Sequence, residues 1–396
     1  MASALDEYLE TAARQMAARG RLLLAKIPRS LPTEYQGLVT AARDRLNTAI
    51  TRLTEFGDGS AARFPASVRQ RLFRRHVDDL DLIESIALTA LHRASEEDVR
   101  LTALIGAICR EISYPLPPPV VAALSTQYFA IDVFFRVMHV PLTEGHFLLH
   151  LPDLYHELAH PLLAEQHDPN LDPFRNRFRR VIDASYRHFA ADLAAVRRGK
   201  TPPDLGVLSA SAEYCWAESW TTEFFCDVFA VATVGPAYAW AHLHLHSKRG
   251  KSAYRIPHPG PISHPADAAR MTAILSALRK LGYADEAARA SELWSELLDR
   301  AENDCPPEFH RCYPDALLET CVDEALAATR EIGCSLATPG STGPVRLTLN
   351  EAWHAMWRDP GGYLAWERDA VDRLHGTLQK SAWAPGNPPP PVRTAE

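Results

Sequence analysis

The sequence has few of the features that mark secreted or membrane-spanning proteins. Its seven cysteines are an odd number and include no C-x-x-C pair, so neither a disulfide framework nor a cysteine zinc knuckle is expected. The longest apolar run, VFAVATVGPAYAWA at 228–241, is too short to cross a bilayer and is interrupted by Gly-Pro. The first fifteen residues contain no apolar segment, which predicts that no signal peptide is present. These absences predict a reduced protein in the cytoplasm, without membrane insertion.

A strong excess of charge of either sign is also missing. The net charge is −7, the isoelectric point is near 6.2, and 23% of the residues are charged. This balance does not favour nucleic acid or an anionic membrane as the main partner. Since 46% of the 396 residues are apolar, the chain is long enough for a sizeable core and for more than one domain.

Proline-rich segments divide a chain whose apolar spacing is otherwise mostly helical. Ser95 and Asp98 form an acidic variant of the capping box, which predicts that a helix begins there. The prolines of YPLPPPV at 114–120 exclude a helix, and the aromatic and β-branched residues of QYFAIDVFFRVMHVP after them favour a strand. We therefore predict a mainly α fold with a small β element, in four regions: a helical domain at 1–113, a central domain at 114–284, a helical region at 285–383 and a flexible proline-rich tail at 384–396.

The central domain contains an H-E-x-x-H motif within LPDLYHELAH at 151–160. Residues four apart share one face of a helix, so His156 and His160 can direct a ring nitrogen at one metal ion. Glu157 is offset around the helix and can take a proton from a water on that ion, as the base of a zinc hydrolase does. The alternative is a surface helix that carries two histidines. Because Pro161 lacks a backbone donor, we predict that the helix ends or bends within a few residues of His160.

A catalytic zinc site needs a third protein ligand, and a second motif downstream offers one. Glu223 and Asp227 in WTTEFFCDVFA lie four residues apart, on one face of a predicted helix. Glu223 can bind the metal, and Asp227 can accept a hydrogen bond from a ligand histidine. The surrounding side chains are mostly aromatic or aliphatic, so burying two carboxylates there without a cation would be costly. A solvated acidic face is the alternative, and Glu213 and Glu218 are rival third ligands.

The segment SHPADAAR, at 263–270, is a third candidate element. An imidazole at His264 could stabilise an oxyanion near the zinc, and Arg270 could orient groups in the site. Otherwise the segment only begins a helix, with Pro265 at its first position. By contrast, we interpret the histidines of AHLHLHS as exposed side chains at a helix end rather than as a second metal site: His242, His244 and His246.

The order of these motifs resembles that of the gluzincin zinc peptidases, and most closely that of the HtpX and CAAX-prenyl-protease type. The motifs H-E-x-x-H, E-x-x-x-D and S-H-P-x-x-x-x-R follow one another, and the resemblance covers roughly residues 125–282. Those relatives carry membrane helices, and none is predicted here. The resemblance implies a zincin-like, metal-binding catalytic core in the central domain, with these roles: His156, His160 and Glu223 on Zn²⁺, Glu157 as general base, Asp227 behind a ligand histidine, and His264 and Arg270 at the transition state.

The expected function is therefore that of a soluble zinc-dependent metalloendopeptidase acting on a protein or peptide substrate. The main alternative is a metal-stabilised interaction or regulatory protein with little hydrolytic activity. A structural zinc usually has four protein ligands and needs no base, so the presence of Glu157 favours the hydrolase. A zinc amidase acting on a small metabolite is a third alternative, which pocket shape rather than sequence distinguishes.

Overall fold

The computed structural model describes residues 4–123, 128–200, 202–249, 252–258, 260–300 and 304–382. The protein is 72% helical and contains a small three-stranded sheet, which confirms the predicted mainly α fold with a small β element. Within these residues, none of the helices is both long enough and apolar enough to cross a membrane. The predicted flexible tail at 384–396 lies outside the described residues.

Two compact units make up the chain. One consists of Met1–Gly106 and Pro117–Leu142, and the other of Ala107–Leu116 and Thr143–Glu396. The residues of the predicted metal-site motifs all belong to the second unit, whereas the β-strands belong to the first. The small β element is therefore separate from the unit that carries the motifs.

The first unit packs its helices around an apolar core. The capping box predicted near Ser95 is present: the Ser95 N–H donates to Asp98 Oδ2 at 2.7 Å, and the Asp98 N–H donates to Ser95 Oγ at 3.2 Å. These bonds satisfy backbone donors that the start of a helix leaves without partners. The helices of this unit are α1 Ala4–Lys26, α2 Gln36–Gly57, α3 Ala66–Leu82, α4 Thr89–His92 and α5 Glu96–Glu111, the last of which continues into the second unit.

The sheet of the first unit lies in the segment where the sequence predicted a strand. Its order is β1-β3-β2, with β3 parallel to β1 and antiparallel to β2. Val120 pairs with Val137, and both are buried in the same core as the helices. The strands are β1 Val120–Ala122, β2 Ala130–Asp132 and β3 Val137–His139.

The second unit is built from helices in the part of it that the structure describes. Among them, α9 packs against the helix of the H-E-x-x-H motif and against α7, α10, α11, α14 and α15. This central position explains why almost every side chain of α9 is buried. The helices are α6 Asp153–Ala164, α7 Asp172–Arg197, α8 Pro203–Cys215, α9 Thr221–Val234, α10 Pro236–Arg249, α11 Asp267–Lys280, α12 Ala284–Arg300, α13 Phe309–Cys312, α14 Asp315–Glu331, α15 Pro344–Arg358 and α16 Tyr363–Ala382.

The helix that carries the E-x-x-x-D motif ends at a glycine-proline pair. A π-helical turn at Trp216–Trp220 joins α8 to α9, and α9 ends at Val234. Gly235 then adopts φ 85° and ψ −148°, a conformation that is strained for any residue with a side chain. Proline is favoured at the first position of a helix, and α10 begins at Pro236.

The helix that carries the H-E-x-x-H motif is short and mostly buried. Pro161 lies inside α6, and the helix ends at Ala164, about one turn after His160. Glu165, at φ −71° and ψ 113°, has already left the helical conformation. The predicted early end of this helix is confirmed, with the proline in its last turn.

Gly235→Ala is expected to lower the free energy of unfolding by roughly 1–3 kcal/mol, because alanine is strained at this positive φ. A new Cβ would also lie 3.4 Å from the Cβ of Ala337. Gly376→Ala, within α16, is the matched control, since a Cβ there meets nothing within 4 Å and should stabilise the helix by about 0.5–1 kcal/mol. Urea unfolding followed by circular dichroism measures both changes. Equal effects of the two substitutions would contradict strain at Gly235.

Candidate metal centre

The packing of α6 against α9 brings His156 close to Glu223, and His160 lies beside His156 on α6. His156 Nε2 lies 3.4 Å from Glu223 Oε2, and the rings of His156 and His160 are 5.2 Å apart. Two donor atoms bound to one tetrahedral zinc at about 2.0–2.2 Å are separated by roughly 3.3–3.5 Å. The separation between His156 and Glu223 therefore suits two ligands of a single ion.

A cysteine that is not among the predicted ligands lies beside the two histidines. Three donor atoms lie within 4.8 Å of one another, one each from His156, His160 and Cys226, so this group could hold a metal ion. Burial, together with the carboxylates of Glu223 and Glu157, raises the pKa of the Cys226 thiol well above its usual value. The signal in the sequence is its position three residues after Glu223, which places both side chains near one face of α9.

The hydrogen bond predicted between Asp227 and a histidine of the motif is present. His156 Nδ1 lies 3.0 Å from Asp227 Oδ1, which leaves Nε2 on the side of Glu223. Arg270 donates from Nε to Asp227 Oδ2 at 2.8 Å and from Nη2 to Oδ1 at 2.6 Å. Burial alone would raise the pKa of Asp227, but Arg270 and His156 together outweigh it and hold that pKa well below the usual value. Arg270 therefore contacts Asp227, and it has no described hydrogen bond with His156 itself.

The two histidines of the motif have opposite pKa shifts. Burial favours the neutral form of both rings. Hydrogen bonds to Asp227 and Glu223 overcome this effect at His156 and raise its pKa to about 10. His160 lacks such a partner among the described residues, and burial and the charge of His156 lower its pKa to about 4. Without a metal, His156 thus carries a proton between two carboxylates, whereas His160 is neutral.

Glu157 points into the same cluster. Its Oε2 lies 3.9 Å from His160 Nε2, and the side chain is buried. Burial raises the pKa of Glu157 to about 7, and the positive charge of His156 limits the rise. The carboxyl of Glu157 is therefore close to His160, while Glu223 is the carboxylate beside Nε2 of His156.

Tyr238 is a second residue of the cluster that the sequence did not predict. Its hydroxyl donates to Asp227 Oδ1 at 2.6 Å and lies 3.0 Å from His156 Nδ1. No motif includes this residue, because it follows the turn at Gly235 and returns to the site only through the packing of α10 on α9.

His264 is not in contact with the cluster. Its ring is exposed, and its one described hydrogen-bonding partner is Ser263 Oγ, 2.9 Å from Nδ1. The predicted oxyanion role requires His264 to lie beside the metal ligands, and no described contact joins it to them. The rival ligands Glu213 and Glu218 likewise have no described hydrogen bond or ion pair with either histidine, and Glu218 is exposed.

The prediction of exposed imidazoles near the end of α10 is wrong for two of the three histidines. His242 and His246 are buried, and both bond to Asp267: His242 Nε2 lies 3.1 Å from its carbonyl oxygen and His246 Nδ1 lies 2.8 Å from Oδ2. Both rings also pack against Trp294. His244 is half-buried, and its Nε2 lies 3.2 Å from His150 Nε2. The predicted helix is correct, but α11 and α12 cover the face that was expected to meet solvent.

Comparison with known proteins adds no assignment to this site. A scan against protein-family models, a search of curated proteins and a search of solved structures each found no match. The resemblance of the motif order to the gluzincin peptidases stays a prediction, and the contacts among the motif residues carry the functional proposal.

Arg270→Gln is expected to lower the free energy of unfolding by about 3–5 kcal/mol, because it leaves the buried Asp227 carboxylate without its charged partner. Arg177→Gln is the matched control: Arg177 pairs with Glu324 and Glu331 near the surface, where such pairs contribute about 0–1 kcal/mol. Urea unfolding of the metal-free proteins gives both values. A loss at Arg270 no larger than that at Arg177 would contradict the importance of the buried pair.

Proposed function

We propose that the protein is a zinc-dependent hydrolase of peptide bonds, with His156, His160 and Glu223 as metal ligands and Glu157 as general base. One observation carries the proposal: Asp227 holds His156 by Nδ1, while Nε2 lies 3.4 Å from Glu223. A carboxylate on the far nitrogen of an imidazole is the usual partner of a histidine that binds metal.

The charges of the cluster support a divalent cation. Asp227 and Arg270 neutralise each other, which leaves the buried carboxylates of Glu157 and Glu223. Once it had displaced the proton that His156 carries in its absence, a divalent ion would balance these two charges and offset the cost of burying them. Two imidazoles and one carboxylate form a donor set that suits zinc. The residues present therefore fit the ion that the motif implies.

Different side chains of the cluster would have different roles in the reaction. A bound zinc would polarise the substrate carbonyl and make water a stronger acid. Glu157, buried beside the ligands, would take the proton of the attacking water and pass it to the leaving amine. Asp227 would keep the proton of His156 on Nδ1 and so leave Nε2 free to bind. An exposed His264 gives the predicted oxyanion contact no support, so that role stays a prediction.

A second candidate function follows from the position of Cys226. If its thiolate binds together with the two histidines and Glu223, the ion has four protein ligands and no open position. The protein would then be the metal-stabilised interaction protein of the alternative hypothesis. The number of protein ligands thus separates the two functions.

Glu223→Gln and Cys226→Ala distinguish these ligand sets. We expect the wild type to bind one zinc per chain. Glu223→Gln should weaken zinc binding by more than the roughly 10- to 100-fold that is typical when a residue hydrogen-bonded to a ligand is lost. Cys226→Ala should bind almost normally. Zinc content and competition with a chromogenic chelator measure this. A thiolate-to-metal absorption band in the cobalt-substituted protein, lost in Cys226→Ala, would contradict the three-ligand site.

Glu157→Gln is expected to keep its zinc and to lose peptide hydrolysis by roughly 10²- to 10⁴-fold, as removal of a general base does. A proteome-wide comparison of new N-termini in cells that express the wild type or the variant measures the loss. Glu218→Gln, which changes an exposed carboxylate away from the histidines, is the matched control and should retain both zinc and cleavage. A zinc-loaded wild type that produces no new N-termini would argue against a peptidase and favour the interaction protein or an amidase.

A further inference from the structure

We infer that Tyr238 is a positioning residue of the metal centre, whose hydroxyl fixes His156 in the tautomer and orientation that bind metal. The inference rests on the proposed metal site. It assigns to α10 a part in a centre whose motifs lie on α6, α9 and α11.

The hydroxyl of Tyr238 lies between three groups of the centre. It donates to Asp227 Oδ1 at 2.6 Å, faces His156 Nδ1 at 3.0 Å and accepts from Arg270 Nη2 at 3.4 Å. The side chain is only 1% exposed. Its ring is nearly parallel to the imidazole of His156, at 14° with the centroids 6.2 Å apart. The buried hydroxyl therefore contacts the imidazole at Nδ1 and restricts its rotation.

A count of donors and acceptors shows how the hydroxyl acts on His156. The one proton of the hydroxyl is given to Asp227, so its lone pairs remain available as acceptors. His156 Nδ1 then faces two acceptors at 3.0 Å, Asp227 Oδ1 and the hydroxyl oxygen. Both favour a proton on Nδ1. The lone pair is thereby kept on Nε2, the nitrogen that faces Glu223.

The backbone around Tyr238 is held in place by a side chain from α15. Asn350 Oδ1 accepts from the Ala237 N–H at 2.9 Å, and Asn350 Nδ2 donates to the Val234 carbonyl at 2.8 Å. These bonds join the end of α9 to the start of α10 on either side of Gly235. A positioning residue must itself be rigid, and this turn supplies the rigidity.

Tyr155 provides a matched comparison within the same unit. It directly precedes His156 on α6 and is completely buried, but its hydroxyl has no hydrogen-bond partner among the described residues. Tyr155→Phe and Tyr238→Phe remove the same atom from two buried rings. Only the second removes a hydrogen bond to the centre.

The experiment measures zinc affinity of the full chain by chelator competition. We expect roughly 10-fold weaker binding in Tyr238→Phe, as for other outer partners of metal-binding histidines, and no change in Tyr155→Phe. In an Asp227→Asn background, Tyr238→Phe should have a smaller effect, because the two residues act on the same nitrogen. Equal affinities of Tyr238→Phe and wild type would overturn the inference alone. A wild type that binds no zinc would overturn the proposed function and the inference with it.

A spectroscopic measurement on zinc-loaded protein with isotope-labelled histidine tests orientation directly. The Nδ1 proton of His156 should exchange slowly with solvent and show a nuclear Overhauser contact with the ring of Tyr238. In Tyr238→Phe that proton should exchange faster, a change that a purely structural role would not produce. Absence of the contact in the wild type would overturn the inference even if the variant failed to fold.

Discussion

The ion pair between Arg270 and Asp227 is the interaction on which the centre of the second unit depends. Asp227 is completely buried, and a carboxylate in that position is tolerated only when strong donors satisfy it. Arg270 supplies two hydrogen bonds, and Tyr238 and His156 contact the same group. These donors come from α11, α10 and α6, so one buried charge on α9 restricts how four helices pack. Since a buried pair adds little net stability, we interpret it as a device for positioning.

The two histidines of the motif are both desolvated, but their pKa values differ because their hydrogen-bonding partners differ. His156 and His160 lie one turn apart on α6, and desolvation disfavours a charge on either. His156 has two carboxylates within reach, Asp227 on Nδ1 and Glu223 beside Nε2, and therefore keeps a proton when no metal is bound. His160 has no comparable partner among the described residues. A metal would replace the proton of His156 between those carboxylates, so binding should be coupled to proton release.

Local spacing was enough to predict part of this arrangement. The turn between His156 and His160 and the shared face of Glu223 and Asp227 depend on neighbours in the sequence. Residues that reach the site through packing could not be predicted in this way. Cys226 belongs to no recognisable metal-binding motif, and Tyr238 lies on α10, which follows the turn at Gly235 and packs back against α9. The rings of His242 and His246 were wrongly predicted to be exposed for a similar reason. Which face of a segment is covered depends on helices far away in sequence.

The charges also bear on whether the ion would have three or four protein ligands. With Asp227 neutralised by Arg270, a divalent ion balances Glu223 and Glu157 if the thiol of Cys226 keeps its proton. If Cys226 bound as a thiolate, one negative charge would remain uncompensated in a buried cluster, unless Glu157 were protonated. A protonated Glu157 could not act as a base. Charge balance therefore permits either a thiolate at Cys226 or an ionised Glu157 that can act as a base, but not both. Burial, together with the carboxylates of Glu223 and Glu157, raises the pKa of the thiol well above its usual value, so losing its proton to a metal would carry a further cost.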